Sequence, residues 1–309
     1  MQGVTSLLGI IFALSAAATW GAGDFLGGFA TRRNSAFLVL GIVSASGLAG
    51  VLLLGWLTGE TLPGWMDVAW ALAAGVLGGI GIITLYRGLA LGAEAGAGAA
   101  MVSPIAAVVG AVVPVLVSSF QEGLPAALQI AGFAAGIAGI WLVTRPHARD
   151  MSLSSAHQQA GLRAVKRQGI QLAVIAGMGF GGFFVCLAQI SELGLYYPLA
   201  AAKLVQGLLA ILAILAVRLR HGDFQSEFTL NGGRIALASA LGAGLLDAAG
   251  NVLYILATGL TRLDVAAVLV SMYPVGTVLL ARMVMKERVG RWQWAGVLLC
   301  VVGVGLIAM

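Results

Sequence analysis

Two polar side chains stand four residues apart in the apolar run 245–254, Leu-Leu-Asp-Ala-Ala-Gly-Asn-Val-Leu-Tyr: Asp247 and Asn251. On a helix they share one face, and Tyr254, three residues further on, stays near it. A carboxylate in an apolar span is expensive. It usually faces a bundle interior or a wet cavity and marks a pathway. Such a group would bind a cationic ammonium group or a coupling proton. The competing reading is structural, with Asp247 hydrogen-bonded to a neighbouring helix.

Three further sets have comparable spacing. Lys203 and Gln206 are i and i+3 and share a face. Lys203 stands within two turns of the end of its run, so lining a cavity and snorkelling to the interface are both open to it. Trp20 and Asp24 are i and i+4, with Asp24 either functional or sitting at the membrane edge beside Arg32 and Arg33. Ser103 and Tyr273 each precede a proline inside an apolar run. Proline removes a backbone donor and tends to bend a helix. Inside a membrane the freed groups are tolerated where they face protein or a water-filled cavity. Pro104, Pro114 and Pro274 are therefore expected to mark bends around a cavity or plain packing kinks. Trp20, Tyr86, Phe180, Phe183, Phe184, Tyr254 and Tyr273 could stack on an aromatic or amphipathic solute. Trp56, Trp65, Trp70, Trp141, Trp292 and Trp294 fall near the ends of runs and read as interfacial anchors, as does Arg87.

No catalytic constellation accompanies these residues. The sequence has no His-Glu-x-x-His, Gly-x-Ser-x-Gly or phosphate-binding Gly-x4-Gly-Lys-Ser/Thr pattern, and its three histidines lie in polar segments. Nothing calls for a metal or another cofactor. Cys186 and Cys300 lie inside apolar runs and read as small buried hydrophobes.

The elements that must hold these residues are membrane spans. Of 309 residues, 60% are hydrophobic and 9% charged, against about 25% charged in soluble domains. The mean hydropathy is +1.00. A net charge of +5 does not suggest nucleic acid, because the basic residues sit between apolar runs, where they orient a protein in a bilayer. Crossing the hydrocarbon takes about 20 apolar residues. Ten runs qualify: 6–28, 36–57, 67–90, 97–119, 125–144, 169–190, 198–217, 234–257, 264–284 and 291–308. The first lacks a basic leader and exceeds signal-peptide length, so no cleaved signal is expected.

A basic linker, 145–168, divides the chain into halves, 1–144 and 169–309, of five spans each. The halves echo one another in order. Trp20-Gly21 matches Phe180-Gly181, and Tyr86 matches Tyr254. Ser103-Pro104 matches Tyr273-Pro274, Glu122 matches Glu287, and Gln129-x2-Gly132 matches Gln293-x2-Gly296. In this register Gly79 and Ile83 stand where the second half has Asp247 and Asn251. Five spans is an odd number, so the second copy is expected to enter the membrane inverted, with the substrate site at the repeat interface near the midplane. Arg32, Arg33, the linker, Arg218, Arg220, Arg234, Lys286, Arg288 and Arg291 fall on one side, and only Arg262 on the other. The first side is expected to be cytoplasmic, leaving both termini outside.

The run Ser271-Met-Tyr-Pro-Val-Gly-Thr-Val-Leu-Leu-Ala-Arg through Lys286-Glu287-Arg288, followed by Gln293-x2-Gly296, resembles the end of an EamA repeat. Trp20-Gly21-x2-Asp24, Pro114 to Glu122 and Gln129-x2-Gly132 extend the likeness to the first half, which departs from it at Gln121-Glu122-Gly123. The chain thus resembles the EamA type of the drug/metabolite transporter superfamily, which includes amino-acid exporters of the YddG type. The resemblance implies an all-α integral membrane protein with ten transmembrane helices in two inverted five-helix repeats around a central cavity. It also implies export of a small-molecule substrate, such as an amino acid or another metabolite, by alternating access across a bacterial inner membrane. A multidrug or lipophilic-cation exporter is the alternative. A membrane-embedded enzyme or an assembly subunit is a third reading, which the missing catalytic clusters and the inverted repeat oppose.

Overall fold

A computed structural model describes residues 7–31, 34–94, 99–143, 159–191, 194–221, 233–285 and 290–308. The described residues form eleven α-helices and no strand. The first half gives α1 (Leu7–Thr31), α2 (Ala36–Thr58), α3 (Trp65–Glu94), α4 (Ala99–Glu122) and α5 (Ala127–Val143). The second gives α6 (Gln159–Leu187), α7 (Tyr196–His221), α8 (Gly233–Leu260), α9 (Leu263–Val270), α10 (Tyr273–Met285) and α11 (Arg291–Ala308).

Eight helical stretches are long and apolar enough to cross a membrane, with α9 and α10 counted as one. α5, at 17 residues, and the last helix are shorter apolar helices. α6 starts at Gln159, inside the expected linker, so that linker ends in helix. The basic residues Arg32, Arg33, Lys286 and Arg288, and those from Arg145 to Arg149, lie outside the described residues.

The ninth span is not the single helix the sequence suggested. Its chain breaks at Ser271-Met272. Pro274, in the first turn of α10, cannot donate to the carbonyl of Val270 four residues back, so the ladder must lapse there. At that position proline suits a new helix, whose first N–H groups lack partners anyway. α4, by contrast, runs without interruption through Pro104 and Pro114.

The halves interlock. α1 packs on α8 and α3 on α6; α2 packs on α7 and α5 on α11; α4 lies on α6 as α10 lies on α1. Glycine lets the backbones meet. A Cβ on Gly139 would stand 2.8 Å from the Gly296 carbonyl oxygen, and one on Gly132 2.9 Å from that of Gly303. Small residues at such interfaces bring helices close where lipid supplies no hydrophobic drive. Large apolar side chains such as Leu53, Phe120, Met178 and Leu298 point outward, as they would toward lipid. So do Trp56, Trp65 and Trp292 near helix ends.

One end of the bundle is tied by two polar clasps. Gly59, in the left-handed region (φ 64°), ends α2. That turn presents Glu60, whose carboxylate accepts the backbone N–H groups of Tyr196 (2.9 Å) and Tyr197 (3.3 Å). An anion is well placed there, at the first turn of α7. Asp67 accepts the N–H of Ser191 alongside (3.0 Å). The second clasp is Arg262. It donates to both carboxylate oxygens of Asp264 (3.1 and 2.9 Å) and to the carbonyl oxygens of Gly123 and Glu122 (2.8 and 3.4 Å).

Candidate functional site

A cavity of about 430 Å³ lies between the halves. Gly27, Gly28, Thr31, Val39 and Leu40 line it where α1 meets α2, the end away from the clasps. Trp20, Phe183, Phe184, Ser271 and Tyr273 line its depth. Its walls are mostly apolar, from Val43, Ile82, Leu85, Ala106 and Phe180, with a few polar groups. That is the usual make-up of a small-molecule site.

The floor is aromatic. Trp20 stacks on Phe184 (5.5 Å between centroids, 25°), and Tyr254 packs against both (6.0 and 5.4 Å). The Trp20 indole N–H donates to the carbonyl oxygen of Asp247 (3.1 Å), which fixes the ring against α8. Gly250 makes room for it: a Cβ there would come 2.5 Å from the indole. The Tyr254 hydroxyl donates to the Phe184 carbonyl oxygen (3.1 Å). Every buried polar tip of this cluster therefore has a partner, as a water-poor plug requires.

The charged groups sit above the floor. The Lys203 ammonium is paired with the Asp247 carboxylate and also donates to Gln206 Oε1 (3.3 Å). Lys203 is 2% exposed and Asp247 32%, so the pair lies in the cavity wall with only the acid reaching the lumen. Snorkelling, one of two options for Lys203, does not occur. Its stem passes Gly47 of α2, where a Cβ would stand 3.4 Å from Lys203 Cδ. Asp24 faces the cavity too, close enough to Asp247 for the two charges to repel, rather than standing apart at the membrane edge. Asp24 has no hydrogen-bond or ion-pair partner among the described residues.

Of the residues singled out by spacing, the fold thus brings Trp20, Asp24, Phe180, Gln206, Asp247 and Tyr273 to one cavity, with Lys203 just behind its wall. Tyr254 and Asn251 do not line it. Both are buried, at 0% and 1% exposed. The reason is axial: they share a face with Asp247 but lie up to seven residues on, about 10 Å along a helix axis, toward the clasped end. Tyr254 becomes the underside of the floor, and the Asn251 Oδ1 has no donor among the described residues. The side chains of Tyr86, Ser103 and Pro104 lie outside the described residues, and Pro114 is buried within α4. Sequence spacing missed the small residues that shape the mouth, Gly27, Gly28 and Thr31. Gly27 and Gly28 fall on the helix C-terminal to Asp24, and that small-residue run was the available signal. Among the described residues no cluster of metal-ligating side chains occurs, and both cysteines are free and buried.

These features define a multi-pass membrane protein with a solute-sized central cavity. Residues 167–309 match the model of the EamA-like transporter family, so the second half carries an EamA-like domain. That match is consistent with a membrane transporter of small molecules. No curated protein matches the chain in sequence. One solved crystal structure superposes on 97% of this chain and 98% of its own, with a TM-score of 0.71 at 18% identity. At that identity the likeness is one of fold.

Proposed function

We propose that the chain is a secondary transporter that exports small ammonium-bearing metabolites, foremost amino acids, across a bacterial inner membrane by alternating access. The observation that carries this is the cavity itself. It is walled by helices of both halves, open at one end, closed at the other by aromatic rings and polar clasps, and bears the carboxylates of Asp24 and Asp247. Its volume suits a solute the size of an amino acid. Asp24 would take the ammonium group or a coupling proton, Asp247, paired with Lys203, would set the charge beside it, and Gln206 would hydrogen-bond the solute. Trp20, Phe180 and Tyr273 would shape its surroundings.

Two five-helix repeats of inverted topology account for the helix pairing. Exchanging the halves turns α1 on α8 into α6 on α3 and returns α2 on α7 and α5 on α11 to themselves, which is the pattern a two-fold axis in the membrane plane generates. The charge count puts the mouth on the cytoplasmic side, where an exporter would load.

Uptake of labelled amino acids into proteoliposomes under an imposed pH gradient tests the reading. At least one amino acid should be carried, and Asp24→Asn and Asp247→Asn should each cut the pH-driven flux by about tenfold or more, the effect of about 1.4 kcal/mol. A flux indifferent to both substitutions would remove the carboxylates from the mechanism. A second reading, a lipophilic-cation exporter, is favoured by the apolar walls and by Asp24, which has no partner among the described residues. Growth of a drug-sensitised host carrying the gene, challenged with cationic drugs or with toxic amino-acid analogues, separates the two.

A further inference from the structure

We propose that Lys203 is a built-in counter-cation that sets how many positive centres a solute can bring. By holding Asp247 in an internal ion pair, it leaves Asp24 as the one uncompensated carboxylate on the described cavity wall, so the site takes solutes with a single ammonium centre. This rests on reading the cavity as the solute site, and it adds a charge rule to that reading.

Four observations combine. Lys203 is almost wholly buried, with its ammonium on Asp247 and on Gln206 Oε1. A buried ammonium without a counter-charge would be very costly, so the pair is maintained whether or not a solute is present. The lysine stem is also confined. It runs beside Gly47, and the same glycine lets the Gly244 carbonyl oxygen approach to within 3.0 Å of where a Cβ would be. With Lys203 only 2% exposed, its ammonium stays on Asp247. Asp24 itself faces the lumen without a partner among the described residues. Three charged groups, two negative and one positive, thus leave a single negative charge for the solute to meet. A second positive centre would face an apolar wall or the Lys203–Asp247 pair, and like charge brought near a fixed ammonium is unfavourable.

The test is equilibrium binding to the detergent-solubilised full chain, with benzylamine as a one-ammonium probe and para-xylylenediamine as its two-ammonium counterpart of similar shape. The wild type should bind benzylamine more tightly. Lys203→Met frees Asp247 and should move the preference toward the diamine by about tenfold or more, since a second uncompensated carboxylate then stands in the cavity. Adding Asp247→Asn to that variant should restore the wild-type preference. Asp247→Asn alone reads the rule from the other side: it leaves Lys203 opposing the solute and should weaken benzylamine by about tenfold. It also serves if Lys203→Met does not fold. A folded Lys203→Met with an unchanged preference, a wild type that binds neither amine, or Asp247→Asn without effect on benzylamine would each overturn the proposal. Because binding is measured and not flux, a chain that obeys the charge rule but moves nothing would sink the transport reading alone.

Discussion

At the scale of single residues, Trp20 shows how one side chain can be held from several directions. Its indole N–H is bonded to a backbone carbonyl of the other half, its face is stacked on Phe184, and its edge rests on Gly250. Gly250→Ala would place a methyl 2.5 Å from a ring that cannot retreat. Overpacking of this kind costs about 1–3 kcal/mol. The thermal midpoint of the purified chain should fall accordingly. Gly250→Ala combined with Trp20→Phe, which removes the indole edge, should recover part of the loss. An unshifted midpoint in the single variant would show that the ring is mobile. Asp247 teaches the complementary lesson. The sequence marks it as an odd acid and marks Lys203 as an odd base, 44 residues apart. Neither spacing nor composition connects them, because the link is α2, on which both α7 and α8 pack.

At the scale of elements, the hydropathy of the chain locates the helices well. α1 and α2 end within a few residues of their expected limits, because long apolar runs between charged loops leave few alternatives in a bilayer. What hydropathy cannot see is backbone continuity. Residues 265–281 form one uncharged, predominantly apolar run, and only Pro274 hints at the break. Nor could it see the clasp at Arg262, whose four acceptors come from residues on both sides of the linker. Asp264 is fully buried while Arg262 is 19% exposed. The neighbouring Asp264 carboxylate, hydrogen-bonded to it, pushes the Arg262 guanidinium further above its ordinary range, so the arginine stays charged at any pH a cell meets. Asp264→Ala would leave that charge with two carbonyl oxygens and the Glu122 carboxylate nearby, without its paired acid. Breaking such a pair costs about 3 kcal/mol, to be read as a lower denaturation midpoint or faster proteolysis. Replacing both partners with apolar residues should cost less than the single change, since no charge is then left without its partner.

At the scale of the whole molecule, the cavity is open at one end and closed at the other, and alternating access requires the reverse to be reachable. Spin labels at Phe29 and Met283 would report the mouth, and labels at Leu62 and Leu124 the clasped end; all four positions are exposed. Saturation with a transported solute should shorten the first distance and lengthen the second. A pair of distances that never moves would exclude a two-state cycle. The break between α9 and α10 bears on how such a cycle would run. α9 is pinned at its start by Arg262 and Asp264. α10 travels with α1, where a Cβ on Gly21 would meet the Tyr273 carbonyl oxygen at 2.7 Å and Thr277 donates to the Gly21 carbonyl oxygen (3.1 Å). The fourth helix of the first half has no such joint. If the halves are the two repeats proposed above, they are jointed differently, as a lever is, with a fulcrum at Ser271-Met272 and an unbroken strut opposite. A stroke of this machine would be lopsided: α10 would swing with α1 while α9 stays put, and α4 would tilt in one piece.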